Sequence, residues 1–287
     1  MKLNRKVLVY DSPGVSKSFN LQLLLGRHIL SDTYIARQVV TAQTLQHSMD
    51  DNTCLFILPG AKASSTYREE LSGKNLDHVK KHMRRGMKVL GFCAGAYVFS
   101  SEFDFTFYNE WNGNVLERKH ISSALGVVDA KAYGPDLRLY DPAGADGSLN
   151  LYKAATLNFN GISTKALICK APSFSAYNPK QCEPISTYEA TGEVAILRFQ
   201  DDRIGSGILC GPSLEVGGED LDYYVPVSMR NPQVQKTVGE LNATRHTRSK
   251  LVAQVFTELL PSDVAPIILR NLKLVPRVSI SGTPTLI

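Results

Sequence analysis

Short apolar runs that stop at turn residues and alternate with helix-patterned segments restrict the folds open to this chain more than any other feature. Residues 6–10 form one such run and end in Asp11, Ser12, Pro13 and Gly14, a turn signal. Residues 54–58 form another, stopped by Pro59 and Gly60, and residues 88–92 another, entered from Gly86. Segments of helical period lie between them. Ser18 can cap a helix carrying Leu21, Leu24, Leu25, His28 and Ile29, and Thr41 can cap a second through Met49. Leu76, Val79 and Met83 set an apolar stripe over residues 75–85. With a β-rich stretch at residues 34–40, strand and helix alternate with short connections. That order predicts a parallel sheet covered on both faces.

The second half reads differently. Runs at residues 125–130, 151–158, 166–170, 194–199 and 204–210 are strand-like and separated by turn residues such as Asp146 and Gly147. A last helix over residues 248–259 carries Leu251, Val252, Val255, Phe256 and Leu259 on one face. Pro261, Pro266, Pro276 and Pro284 then punctuate a stretch with few packing signals. The expected organisation is one α/β domain over residues 1–260 and a proline-containing tail over 261–287. Its sheet should be mainly parallel, with a β-rich second half.

Composition removes several classes. With 43% hydrophobic and 21% charged residues among 287, the chain is not predominantly disordered. Its five cysteines, Cys54, Cys93, Cys169, Cys182 and Cys210, are odd in number and form no Cys-x-x-Cys pair. Neither a disulfide scaffold nor a zinc site is expected. The run after Lys6 is too short for a signal peptide, and no stretch reaches the roughly 20 apolar residues of a membrane span. A cytoplasmic protein with free thiols is the expectation, signal-less export remaining open. The net charge of +5 is mild, and Lys80, Lys81, Arg84, Arg85 and Lys88 read as the solvated face of a helix. No nucleic-acid partner is expected. Neither a Gly-x-x-x-x-Gly-Lys loop nor a Gly-x-Gly-x-x-Gly fingerprint is present, so no nucleotide cofactor is expected either.

The chemistry concentrates in residues 89–97. A buried-type strand runs into Gly91, Phe92, Cys93, Ala94 and Gly95, and a helical pattern follows. This is the cysteine form of a nucleophile elbow. Small residues are required because the turn is sharp and strand and helix approach closely. The elbow aims the thiol out of the sheet at a helix start, where free N–H groups and the dipole favour a thiolate. The N–H of Ala94 is a natural oxyanion donor, and Gly60 supplies a second.

The strings around Val7 to Ser16, Leu58-Pro59-Gly60, Gly91-Phe92-Cys93-Ala94-Gly95-Ala96-Tyr97 and Tyr133-Gly134-Pro135 resemble the biotin-protein-ligase N-terminal domain family. That family belongs to the class I glutamine-amidotransferase-like superfamily, and the resemblance runs from about residue 5 to 260. It implies a flavodoxin-like three-layer α/β sandwich with the Cys93 elbow at the carboxyl end of the sheet. It does not imply biotin ligation, because the ligase's Gly-Arg-Gly-Arg adenylate loop has no counterpart here. The family places a histidine base, followed two residues later by a carboxylate, in a Gly-Pro-His-x-Glu-like string. The matching residues here are Gly211, Pro212, Ser213, Leu214 and Glu215. The carboxylate position remains as Glu215, while Ser213 stands where the base belongs. A serine hydroxyl has no useful basicity near neutral pH, so the triad is broken.

Six histidines are available to fill this gap. His28, His47, His78 and His82 read as helix-face residues, while His120 and His246 stay open as substitutes. Gly14 and Ser16, in the loop after the first strand, can line the cleft and hold a ligand on backbone N–H groups. Residues 217–220 read as a mobile acidic loop beside Glu215. Three functions remain open: a cysteine-centred amidase-like enzyme on a small carbonyl substrate, a catalytically degraded module binding a small molecule or partner protein, and a thiol-based redox or electrophile sensor.

Overall fold

Continuous apolar runs belong in strands covered on both faces, and the structure puts them there. The computed structural model describes residues 5–11, 35–61, 64–109, 114–122, 125–140, 152–225 and 230–261. In chain order, β1 (Arg5–Tyr10), β2 (Ile35–Val40), α1 (Leu45–Ser48) and β3 (Thr53–Leu58) lead into α2 (Ser64–Glu70), α3 (Lys74–Met83) and β4 (Lys88–Phe92). After α4 (Ala94–Phe99) come β5 (Ser100–Tyr108), β6 (Val115–Ser122), β7 (Val128–Gly134), β8 (Lys153–Phe159) and β9 (Ile162–Ile168). They are followed by β10 (Ser173–Tyr177), β11 (Cys182–Tyr188), β12 (Val194–Asp201) and β13 (Gly205–Cys210). The helices α5 (Gly218–Tyr224), α6 (Pro232–Ala243) and α7 (Arg245–Leu259) complete the order.

One large mixed sheet holds these strands in the order β2-β1-β3-β4-β13-β12-β10-β7-β5-β6, and β11, β8 and β9 branch from β12. From β2 to β13 every pairing is parallel, and β4 lies between β3 and β13. Beyond β13 the ladder is antiparallel as far as β7, which pairs parallel with β5. The α/β class expected from the sequence is therefore present, with its parallel part at the elbow strand and its antiparallel part in the β-rich second half.

Side-chain alternation builds the two outer layers. Val7, Val9, Leu55, Ile57, Leu90 and Phe92 point to the face covered by Leu251, Val255 and Phe256 of α7. Leu8, Tyr10, Phe56, Leu58 and Val89 point to the opposite face, against Tyr67, Val79, Met83 and Val98 of α2, α3 and α4. Each large side chain buried this way contributes roughly 1.5–3 kcal/mol relative to exposure. Helix α3 has Asp77 in its first turn and Lys80, Lys81 and His82 in its last, as its dipole favours. The chain leaves it at Gly86, whose φ of +101° suits glycine. Helix α7 runs back across the sheet, and its end is fastened where Lys88 Nζ donates to the Glu258 carbonyl at 2.5 Å and Arg198 pairs with the Glu258 carboxylate at 3.1 Å.

Three expectations are corrected. Lys88 is not part of the basic helix face; it opens β4 and reaches α7. Residues 217–220 are not a loop but the start of α5, where the Asp220 carboxylate accepts from the Gly217 N–H at 2.8 Å. Strand β9 begins at Ile162, several residues before the expected run. The Ser18 helix, Gly14, Ser16 and the tail beyond Pro261 lie outside the described residues. No helix among the described residues is long and apolar enough to cross a membrane.

Candidate functional site

Strand β4 ends at Phe92, α4 begins at Ala94, and Cys93 alone makes the turn. Its backbone sits at φ +47° and ψ −106°, a conformation that L-residues rarely adopt. Two glycines make the turn possible. A Cβ at Gly91 would lie 2.7 Å from the Gly95 carbonyl carbon and 2.9 Å from the Ala96 nitrogen. A Cβ at Gly95 would press into the backbone and Cβ of Leu58 at the end of β3. Strand, helix and neighbouring strand thus meet with no room for a side chain, and the turn is held from three sides.

The surroundings of Cys93 come from distant parts of the chain. Its N–H donates to the Cys210 carbonyl at 2.8 Å, tying the elbow to the end of β13. Its thiol donates to the Cys169 carbonyl at 3.5 Å, beyond the end of β9. Only 6% of Cys93 is exposed, and Ala94 and Gly60 are buried as well. Ala94 opens α4, so its N–H has no acceptor within the helix. The Tyr67 hydroxyl donates to the Pro59 carbonyl at 2.7 Å. Because C=O and N–H of a trans peptide point oppositely, the Gly60 N–H is aimed away from Tyr67.

Ser213 and Glu215 leave β13 through Gly211 and Pro212, so both come from the strand next to the elbow strand. Ser213 is 1% exposed and Glu215 3%. The Ser213 N–H donates to the Leu167 carbonyl at 2.8 Å in an isolated antiparallel bridge, two residues before Cys169. Burial pushes the Cys210 thiol well up, and the Glu215 charge adds to the shift. The same charge acts on Tyr67, raised chiefly by burial and then by Tyr10, Cys93 and Asp11.

The histidines lie elsewhere. His78 and His82 face each other on α3 with ring centres 4.7 Å apart, beside Met49 and Asp51. That is the amino end of β3, opposite the carboxyl end that carries Cys93. His120 is on β6, the outermost strand, where its Nδ1 meets the Asp104 carboxylate at 2.8 Å. His246 is exposed in the first turn of α7. Two cavities, of about 820 and 520 Å³, also lie away from Cys93. One opens by Lys88, Glu183, Arg198 and Glu258, and the other by Lys153, Lys165 and Lys236. Among the described residues no group of three or more His, Cys, Asp or Glu side chains is placed to hold a metal ion.

A feature missed in the sequence is a set of phenols around the thiol. Tyr97 and Tyr188 are pushed well above the usual range by burial, with the Cys93 charge contributing to both. Tyr140 is raised likewise by burial and then by Cys169. All three stay neutral phenols; Tyr97 and Tyr188 donate to backbone carbonyls, while Tyr140 accepts from a backbone N–H. The only signal for them in the sequence was the abundance of tyrosine, 12 residues, without a spacing that would bring them together.

Comparison with known proteins bears on this arrangement. Residues 5–135 match the family model described as biotin-protein ligase, N terminal, so the family resemblance holds over that stretch. An uncharacterized protein of Chlamydia muridarum (strain MoPn / Nigg) is 28% identical over 221 residues, covering 74% of this chain and 80% of that protein. Among solved structures, PurLQS from Thermotoga maritima aligns with a TM-score of 0.47 at 12% identity, over 82% of this chain and 97% of that one. A glutamine amido transferase from Methylobacillus Flagellatus aligns with a TM-score of 0.45 at 11% identity, over 99% of this chain and 100% of that one.

Proposed function

We propose that this chain is a cysteine-centred, amidotransferase- or hydrolase-like protein acting through Cys93 on a small amide or related carbonyl compound, with slow turnover. The observation that carries this reading is the backbone of Cys93. A non-glycine residue held at φ +47° costs on the order of 1–3 kcal/mol, and such strain persists where the surrounding structure imposes it. A purely structural turn would relieve that strain with a third glycine.

In the proposed reaction the Cys93 sulfur attacks the carbonyl carbon. The S–C bond forms, the C–N bond breaks, and the thiol proton leaves with the amine. Water then cleaves the thioester and returns the thiol and a carboxylic acid. The N–H groups of Ala94 and Gly60 are assigned to the oxyanion, and Glu215 is the carboxylate that remains of the triad. Ser213 cannot accept the thiol proton, so both proton transfers proceed without a general base.

A second reading has its own observation. The Cys93 thiol donates to a backbone carbonyl, which stabilises S–H over thiolate, and the residue is almost wholly covered. Both facts favour a module that binds a small molecule or a partner protein and has given up turnover. Hydrolysis of glutamine and of an activated ester by the wild type, Cys93→Ala and Ser213→His separates the two. The catalytic reading expects a slow rate that is lost in Cys93→Ala and rises about 100-fold or more in Ser213→His. Equal rates in all three proteins would overturn it and leave the binding module.

A further inference from the structure

Residues 169–172 cross over the elbow, and four of their backbone groups are held by the elbow and its neighbouring tyrosines. The Cys169 carbonyl accepts from the Cys93 thiol at 3.5 Å, and the Lys170 carbonyl accepts from the Tyr97 hydroxyl at 3.2 Å. The Lys170 N–H donates to the Tyr140 hydroxyl at 2.7 Å, and the Pro172 carbonyl accepts from Tyr188 at 3.0 Å. Beneath the segment lie two glycines that leave it room. A Cβ at Gly134 would sit 2.7 Å from the Ala171 carbonyl oxygen, and a Cβ at Gly211 would press into the Pro172 carbonyl.

We propose that residues 169–172 are a plug seated on the Cys93 thiol, clamped by Tyr97, Tyr140 and Tyr188, and that reagents reach the thiol only when it lifts. The inference adds a control to the Cys93 site and rests on the reading that this thiol is the reactive group. Lys170, at the plug's centre, is held left-handed at φ +57°, a conformation unfavourable for lysine. The seated state is held against this strain by its hydrogen bonds and by the burial of Ala171 in the core. The three tyrosines are positioning residues: each spends its hydroxyl on the plug's backbone. Phenols raised by burial keep their protons, so the clamp holds across the neutral range. The plug also places a carbonyl oxygen against the sulfur, which an incoming carbonyl compound must displace before attack.

Alkylation of the full chain by iodoacetamide, read by peptide mass mapping, tests the plug without requiring turnover. In the wild type Cys93 should label at least about ten times more slowly than in the urea-unfolded chain. Tyr97→Phe and Tyr188→Phe should each speed Cys93 about five- to tenfold, with Cys54 and Cys182 unchanged. Cys93 labelling at the unfolded rate in the wild type, no response to either substitution, or equal acceleration of all three cysteines would overturn the proposal. Should a variant fail to fold, amide exchange in the wild type serves instead. The Lys170 N–H should then be slowed relative to the unfolded chain by about the same factor as Cys93 labelling; protection as high as in β13 beside nearly unprotected labelling would overturn the plug. The two readings fail separately. Fast labelling with Cys93-dependent hydrolysis removes the plug alone, while gated labelling without hydrolysis in Ser213→His removes the enzyme alone.

Discussion

Two turns lie side by side at the carboxyl end of the sheet and differ in how their backbones are held. The turn at Cys93 retains a left-handed cysteine, two glycines in backbone contact, and a thiol facing inward. The turn after Cys210 carries Gly211, Pro212 and a buried Glu215, and holds Ser213 in a β-bridge to Leu167. One turn stores strain, while the other has settled into ordinary sheet pairing. The difference teaches that packing can impose strain on one turn while its neighbour at the same end of the sheet adopts ordinary pairing. The strained turn is fixed by glycine-to-backbone packing, and the relaxed one by a backbone hydrogen bond.

Substitutions at the two turns should respond unequally. Gly91→Ala carries the largest expected effect, a loss of about 3 kcal/mol or more in urea unfolding, because its Cβ meets the Gly95 backbone. A loss below about 1 kcal/mol would mean that the elbow is not packed as described. Next comes a paired measurement. Cys210→Gly removes a fully buried side chain from regular strand and should cost roughly 2–3 kcal/mol. Cys93→Gly loses a comparable side chain but relieves the positive φ, so its cost should stay within about 1 kcal/mol. Equal costs would erase the contrast between strained and relaxed turns.

The smallest expected effect is a pH dependence. The folded pKa of Cys210 is raised by burial and then by Glu215, and that of Cys182 is pushed up to about 11 by burial. A thiol raised in this way contributes stability that is fully present below its unfolded value of about 8.5. That contribution is lost as pH rises toward the folded value. Urea midpoints should therefore fall between about pH 8.5 and 11, and less steeply in Cys210→Ala. An unchanged slope in that variant would show that Cys210 takes no part.

The elbow was legible because everything that makes it is local: an apolar strand, glycines flanking a cysteine, and a helix start within nine residues. The parallel strands were legible for the same reason, since β3 and β4 are short apolar runs ended by a turn or glycine. What covers the thiol was not. Cys169 lies 76 residues from Cys93, and no spacing in the sequence announces that contact. Strand β6 also escaped notice. It lies at the sheet's edge with almost every residue exposed, so its charged sequence shows no alternation of buried and exposed positions. Helix α6 also went unread although its start carries a signal, since Asn231 accepts from the Val234 N–H and Pro232 fills the first turn. The acidic run at Glu219 and Asp220 was read as solvated loop when it is the acidic first turn of α5.

The place of β13 beside β4 has a consequence for the order in which the molecule can be assembled. Residues 5–135 carry the family match, yet the partners of the Cys93 amide and thiol are Cys210 and Cys169. As the chain emerges from the ribosome, β4 can join β3 early, but its other edge stays unpaired until more than 100 further residues have been made. An unpaired strand rich in buried side chains is a template for wrong partners, and pairings this distant in sequence form slowly. The elbow is thus begun by the first third of the chain and finished by the last, and newly made chains pass through a stage in which the strained turn exists without the residues that hold it.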